Sequence, residues 1–260
     1  MKYFWKHTEA GVKKIASQAK LLIVLDFDGT LSPLAETPGQ ARLDPRFKAE
    51  LKRLSALKGV SIFVLSGRAL PVVKKMVGLK GIYYGGNHGM ETVGKGFRYT
   101  DPKATQLKDV VKAVTKGLKV IFPTGSGVLI ENKGLTASIH YRRLEGAGKR
   151  FFFKRMRVIK VLSKDLPVLW RKGHEVIEIL PREAMHKGDA VIRLSKKLSC
   201  LVILAVGDDA TDEDMFQALG SSGISIRVKP KRSSRAQYYL KGQMEVLRLL
   251  EFIRKSRRGL

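Results

Sequence analysis

Apolar runs that end in polar residues recur through the first hundred positions and again near the end of the chain. LLIVLDFDG (21–29) stays apolar without alternation and then turns acidic, as a strand buried on both faces of a parallel sheet does. VSIFVLSGR (60–68), GIYYGGNHG (81–89), LVILAVGDD (201–209) and GISIRV (223–228) read the same way. Helical patterns lie between them. Asp44 and Pro45 supply an N-cap and a first-turn proline, and Phe47, Leu51, Leu54 and Leu57 follow at helical spacing. ALPVVKKMVGL (69–79), DEDMFQALG (212–220) and MEVLRLLEFIRK (244–255) predict further helices.

The middle of the chain changes pattern. A helix is expected over 103–120, with Leu107, Val110, Val111, Val114 and Leu118 on one side. Strands GVLIEN (127–132) and LTASIHYR (135–142) follow, joined at Lys133-Gly134 in a tight hairpin. After the glycine break Gly146–Gly148 come a helix at about 149–163 and strands PVLWRK (167–172) and EVIEILP (175–181) around Gly173. Helix-strand-strand occurs twice, an α+β pattern interrupting an α/β one. The expected fold class is α/β: a doubly wound, Rossmann-like parallel-sheet core over 1–101 and 183–260, with an α+β cap inserted at 102–182. In the 149–163 helix, Phe152, Met156 and Ile159 form a core stripe and the cations face water.

Charge is the unusual part of the composition. Fifty Lys and Arg against 23 Asp and Glu leave a net +27, which attracts polyanions, membranes or anionic metabolites without specifying a fold. The insert holds 18 Lys and Arg against six Asp and Glu. A single cysteine, Cys200, excludes an intramolecular disulfide and a cysteine-only zinc site. The apolar runs fall far short of the ~20 residues that cross a bilayer. MKYFWKHTEAGVKK offers no apolar signal segment. A cytoplasmic protein with no membrane partner is the expectation.

In α/β sheets, ligands bind beyond the carboxyl ends of the strands. There this sequence places Asp26-Phe27-Asp28-Gly29-Thr30, Ser66-Gly67-Arg68, Gly86-Asn87-His88-Gly89 and GDDATDED (207–214), with Lys187-Gly188 opening another helix. Acidic residues crowd into two short runs: Asp26 and Asp28, then Asp208, Asp209, Asp212, Glu213 and Asp214. Such carboxylates repel one another unless protonated or met by a cation. An oxygen-rich set with no His or Cys at ligand spacing suits Mg2+. Amides of the turn after Asp26, together with Ser66 and Lys187, suit a phosphoryl group. Asp209, Glu213 and Asp214 are read as favouring a helix N-terminus, and Thr30 as bonding within its own turn.

DFDGT, the strand-terminal Ser66, Lys187-Gly188 and GDDATDED, in that order, resemble the four motifs of the haloacid dehalogenase superfamily, with an insertion point like that of its C2-type cap class. The resemblance implies Asp26 as a nucleophile forming an aspartyl-phosphate and Asp28 as the acid and base. Ser66, Gly67 and Lys187 would bind the phosphoryl oxygens. Mg2+ would be held by Asp26, the backbone carbonyl of Asp28, Asp208, and Asp212 directly or through water.

SGR, GNHGME, ENKGLTASIHYR, EILP, HKGDAV and GDDATDEDMF together resemble the trehalose-6-phosphate phosphatase family. That likeness implies a sugar phosphate substrate, with Glu131, Lys133 and Glu178 gripping glucose hydroxyls. Arg68, His88 and Glu91 would line the core–cap interface, while His140 and Arg142 support the cap. It also leaves room for association with a trehalose-phosphate synthase. Two readings compete with it. One is a related phosphatase acting on sucrose phosphate or a glycosylated phosphoglycerate. The other is a polyanion-binding protein exploiting the positive charge, which leaves the carboxylate runs unexplained. Specific nucleic-acid binding is not expected, because Phe152, Met156 and Ile159 of 149–163 are assigned to a core stripe and the cations to water.

Overall fold

The computed structural model describes residues 1–6, 19–35, 37–173, 175–200 and 202–257. Residues 7–14, read above for a signal, and Leu201, expected to open a strand, lie outside them. The chain divides into two compact units, Met1–Tyr99 with Met185–Leu260, and Thr100–Ala184.

The first unit is built on a nine-stranded sheet in the order β1-β13-β12-β11-β2-β3-β4-β5-β6. Its strands are β1 (Lys2–Tyr3), β2 (Leu21–Leu25), β3 (Val60–Leu65), β4 (Tyr83–Gly86), β5 (Glu91–Gly94), β6 (Phe97–Thr100), β11 (Val202–Gly207), β12 (Ile224–Val228) and β13 (Tyr238–Leu240). From β1 to β4 every pairing is parallel, and β5 returns antiparallel to β4. Every residue of β2, β11 and β12 is buried, as their unbroken apolar runs require.

Helices α1 (Pro45–Ser55) and α2 (Leu70–Val77) precede the insert; α6 (Lys187–Leu198), α7 (Glu213–Leu219) and α8 (Gln243–Arg257) follow it. Asp44 caps α1 by accepting from the Arg46 amide at 2.8 Å. Glu50 on α1, buried, pairs with Arg254 on α8. The apolar face of α1 and that of α8 share one core with β2, β3, β11 and β12.

The third strand ends at the glycine-rich stretch 86–89, where the sequence reading placed its carboxyl end. β4 ends at Gly86, and Asn87–Gly89 form a short 3-10 turn with φ of 48° at Asn87 and 59° at His88. The edge strands β5 and β6 and the short terminal pairing of β1 with β13 carry too few alternating positions to be read in advance.

The second unit has a four-stranded antiparallel sheet, β7 (Leu129–Asn132), β8 (Ala137–His140), β10 (Val176–Pro181) and β9 (Val168–Lys172), in that order. Its helices are α3 (Pro102–Gln106), α4 (Lys108–Ile121) and α5 (Gly146–Leu162). The single helix expected over 103–120 is thus two, broken at Leu107. α5 starts at the glycines that were read as a break, since a first turn makes few intrahelical bonds. The hairpin expected at Lys133-Gly134 spans residues 133–136, closed by Lys133 N donating to Thr136 O at 2.9 Å. Ile130, Ile139, Ile177 and Ile179 turn one sheet face toward Val111, Leu118, Phe152 and Met156 of the helices. Tyr141 is buried in this core and stacks on Phe152 with ring centroids 4.9 Å apart. Lys103 and Glu183, 2.9 Å apart, tie the two ends of the insert together.

Candidate active site

Register fixes the site. Leu25 of β2 lies opposite Val206 of β11 and Val64 of β3, so the carboxyl ends of three parallel strands finish at one rim. Asp26 leaves β2 there with its amide donating to Val206 O at 3.0 Å. Asp208 leaves β11 and Ser66 leaves β3 at the same level.

Lys187, the first residue of α6, is 2% exposed and donates to Asp26 Oδ1 at 2.6 Å and to Asp212 Oδ1 at 2.7 Å. Gly188 lets α6 come close to α7: a Cβ there would lie 2.4 Å from Asp214 O. Asp212 is spent on both oxygens, because Oδ2 accepts the amides of Asp208 and Asp209 at 2.8 and 2.9 Å. Thr30 donates to Asp208 Oδ1 at 3.1 Å, so its hydroxyl braces the acidic loop and does not bond within its own turn as expected. Gly29, at φ 87°, brings the first turn against Asp208; a Cβ would meet that carboxylate at 2.2 Å.

These carboxylates hold their charge at a cost. Burial pushes the Asp26 carboxyl well up from the usual range; Lys187 pulls it back, while Asp212 and Asp208 add to the rise. Asp208 is pushed up to about 7 by burial and by Asp212 and Asp209 beside it. Burial disfavours the Lys187 ammonium, but Asp212 and Asp26 outweigh it and raise its pKa. Among the described residues, Asp26, Asp208 and Asp212 each offer a carboxylate oxygen, all within 4.8 Å of one another. One ammonium against three carboxylates leaves a deficit of positive charge, so the donor set fits a hard divalent cation.

Asp28 is gripped by Arg68, whose Nε and Nη2 donate to its two oxygens at 2.7 Å each while Nη1 donates to Pro38 O at 2.7 Å. Arg68, read above with His88 and Glu91, thus has its guanidinium engaged by Asp28. Ser66 is buried, with Oγ accepting from the Arg68 amide at 3.2 Å. His88 is 4% exposed, its amide donates to Ser66 O at 3.0 Å, and a Cβ on Gly67 would strike its ring at 2.5 Å. The ring lies against the Ser66-Gly67 turn, where only a residue without a side chain fits at position 67. Glu91 opens β5 and accepts from Asn87 Nδ2 at 2.6 Å.

In the second unit, Glu131, Ser138, Glu178 and Arg171 align across the four strands on the face away from the core. Glu178 accepts from Lys133 Nζ and from Ser138 Oγ at 2.9 Å each. His140 lies 3.1 Å from Glu131, and this contact, with Lys133 nearby, lowers the Glu131 pKa.

The sequence reading missed Arg227. It lies on β12, is buried, and donates to the carbonyls of Asp208 and Asp209 and to Glu213 Oε1 at 2.9 Å. A lone charged residue inside the wholly buried strand ISIRV is the signal that could have found it. Arg227→Met is expected to destabilise the protein by roughly 1–3 kcal/mol, because those half-buried acceptors lose their charged donor. Thermal unfolding measures this, and an unchanged midpoint would remove Arg227 from the support of the acidic loop.

A parallel, doubly wound core with carboxylates, a serine and a lysine gathered at its strand ends defines the haloacid dehalogenase-like hydrolase class. A haloacid dehalogenase-like hydrolase from B. subtilis shares the fold at TM-score 0.59 and 15% identity, over 88% of this chain and 98% of that one. The C-terminal domain of trehalose-6-phosphate phosphatase from C. albicans superposes at TM-score 0.80 and 24% identity, over 94% of this chain and 95% of that one.

The chain belongs to the trehalose-phosphatase family, whose model matches residues 24–244. It is 31% identical to probable trehalose-phosphate phosphatase D of Arabidopsis thaliana, over 94% of this chain and 71% of the relative. It is 33% identical to the trehalose-phosphate phosphatase of Mycobacterium tuberculosis, over 80% of this chain and 53% of that longer protein.

Proposed function

We propose that this chain hydrolyses trehalose 6-phosphate to trehalose and phosphate through an aspartyl-phosphate on Asp26, with Mg2+ as cofactor. The observation that carries the reading is the contact of Lys187 with both Asp26 and Asp212, beside Asp208, at the end of β2. Family membership supports the substrate.

An Asp26 carboxylate oxygen attacks phosphorus and the ester P–O bond breaks, the departing sugar oxygen taking a proton from Asp28. Water then attacks the phosphorus, gives its proton to Asp28, and the bond to Asp26 breaks with release of phosphate. The Arg68 guanidinium occupies both Asp28 oxygens, so proton transfer at Asp28 requires that clamp to loosen from one of them. Lys187, with Ser66 and the Gly67 turn, offsets charge on the phosphoryl oxygens. Asp26, Asp208 and the Asp28 carbonyl are the ligands we assign to Mg2+, which when bound shields the anionic nucleophile from the anionic phosphate. Asp212, whose oxygens are already engaged, acts on the metal through the loop it anchors or through water.

Glu131, Lys133 and Glu178 of the second unit are assigned to the sugar hydroxyls, a polar set of the kind that discriminates a hydroxylated substrate. Phosphate release from trehalose 6-phosphate, sucrose 6-phosphate and glucosyl-phosphoglycerate, with and without Mg2+, tests the whole reading. Equal rates on all three would end the trehalose assignment. Glu178→Ala is expected to cut kcat/KM for trehalose 6-phosphate by roughly 10- to 100-fold, a lost charged hydrogen bond, while sparing a generic aryl phosphate. Equal losses on both substrates would take Glu178 out of the sugar site.

A further inference from the structure

A surface helix needs one apolar stripe, facing its core. α5 has two. Phe152 and Met156 are buried in the core of the second unit, with Ile159 packed against it. Phe151, Val158 and Leu162 form a separate line at i, i+7 and i+11, exposed by 54%, 54% and 79%. Val161 lies beside it at 62%.

Arg155, on the same line, stacks over the Phe151 ring at 4.2 Å and donates to Ile121 O at 3.0 Å. That bond brings the end of α4 alongside, where Val120 is 78% exposed. Single exposed apolar residues are ordinary, but a continuous group on one helix and the end of its neighbour marks a contact surface.

The charge around this patch selects its occupant. α5 carries Arg150, Lys154, Arg155, Arg157 and Lys160 and no acidic residue, with Lys149 taken up by Glu175 and with Glu145 and Asp165 just beyond its ends; α4 adds Lys108, Lys112, Lys116 and Lys119 against Asp109 alone. A second copy of a chain at +27 is repelled by such a face. A solvated polyanion such as nucleic acid gains from the cations but little from exposed Val and Leu side chains. Aliphatic side chains ringed by Lys and Arg on a convex helix match a bilayer interface, with the apolar residues at the acyl boundary and the cations at lipid phosphates.

We propose that the α4–α5 layer binds anionic lipid surfaces peripherally, seating Phe151, Val158, Leu162 and Val120 in the headgroup region. No described helix is long and apolar enough to cross a membrane, so this is attachment to one leaflet. It revises the expectation of no membrane partner, which rested on the absence of a spanning run and not on exposed faces.

The test is co-sedimentation of the full chain with vesicles of phosphatidylcholine alone and of phosphatidylcholine with about 30% phosphatidylserine. The triple variant Phe151→Ser/Val158→Ser/Leu162→Ser and heparin retention serve as parallel arms. The expected result is capture by the anionic vesicles only. The triple variant should weaken that capture roughly tenfold or more, with heparin retention and aryl phosphate hydrolysis unchanged. Three results would overturn the proposal: no capture by anionic vesicles, equal capture of wild type and variant, or retention by heparin without capture by vesicles. Hydrolysis by the variant shows that it is folded, and vesicle binding is read without reference to the sugar substrate.

Discussion

Asp26→Asn is expected to reduce phosphate release from trehalose 6-phosphate by at least about 10⁴-fold in kcat while leaving the protein folded. The amide cannot attack phosphorus, so the loss falls on the chemical step and no excess of substrate or Mg2+ restores it. Folding should survive because two effects oppose each other. The variant loses the ion pair with Lys187, yet it also removes a buried carboxylate whose pKa is already pushed up by its surroundings. Lys187 keeps Asp212 as a partner. Circular dichroism and thermal unfolding check the fold, and single-turnover phosphate release checks the chemistry. A variant that stays folded and turns over at the wild-type rate would sink the aspartyl-phosphate scheme.

Why Asp26 could be singled out from the sequence, and other residues could not, follows from how each kind of position is encoded. LLIVL and VILAV are buried on both faces, so their apolar runs announce strands whose ends must lie at one rim. Polar residues directly after such runs, Asp26, Ser66 and Asp208, are then placed by topology alone. Lys187 carries no local signal among 50 basic residues and was assigned by its order relative to the other motifs. The structure supplies a physical mark for it: a nearly fully buried lysine at a helix N-terminus, where the dipole disfavours a cation, held by two carboxylates.

Pair geometry was the illegible part. The clamp of Arg68 on Asp28 spans 40 positions and that of Thr30 on Asp208 spans 178, and nothing local in the sequence distinguishes these contacts from solvated turns. The burial of His88 was illegible for the same reason. Its burial depends on Gly67 lacking a side chain, a fact about a neighbouring strand end. The second stripe of α5 went unread because Lys and Arg at 154, 155 and 157 drew the exposed face as wholly polar. Val158, Val161 and Leu162 show their exposure only once Phe152 and Met156 are known to fill the core.

Lys187→Met carries the largest expected effect on stability. Methionine fills a similar volume, so packing is nearly preserved and the change isolates charge. Removing the ammonium leaves Asp26, Asp208 and Asp212 facing one another with no cation among the described residues in direct contact with any of their carboxylates. Breaking a buried ion pair from one side costs about 3–5 kcal/mol. At about 2–4 °C per kcal/mol for a chain of this size, the midpoint should fall on the order of 10 °C.

Two further measurements separate this electrostatic account from a generic core defect. Mg2+ should raise the midpoint of the variant more than that of wild type, since a cation binding only the folded state offsets the same deficit. The double variant Asp26→Asn/Lys187→Met should lose less than the sum of the two single losses, with a coupling of about 1–3 kcal/mol. If the losses simply add and Mg2+ stabilises both proteins equally, Lys187 is only filling space. The charge balance that ties the ends of β2 and β11 to the head of α6 would then have to be sought elsewhere.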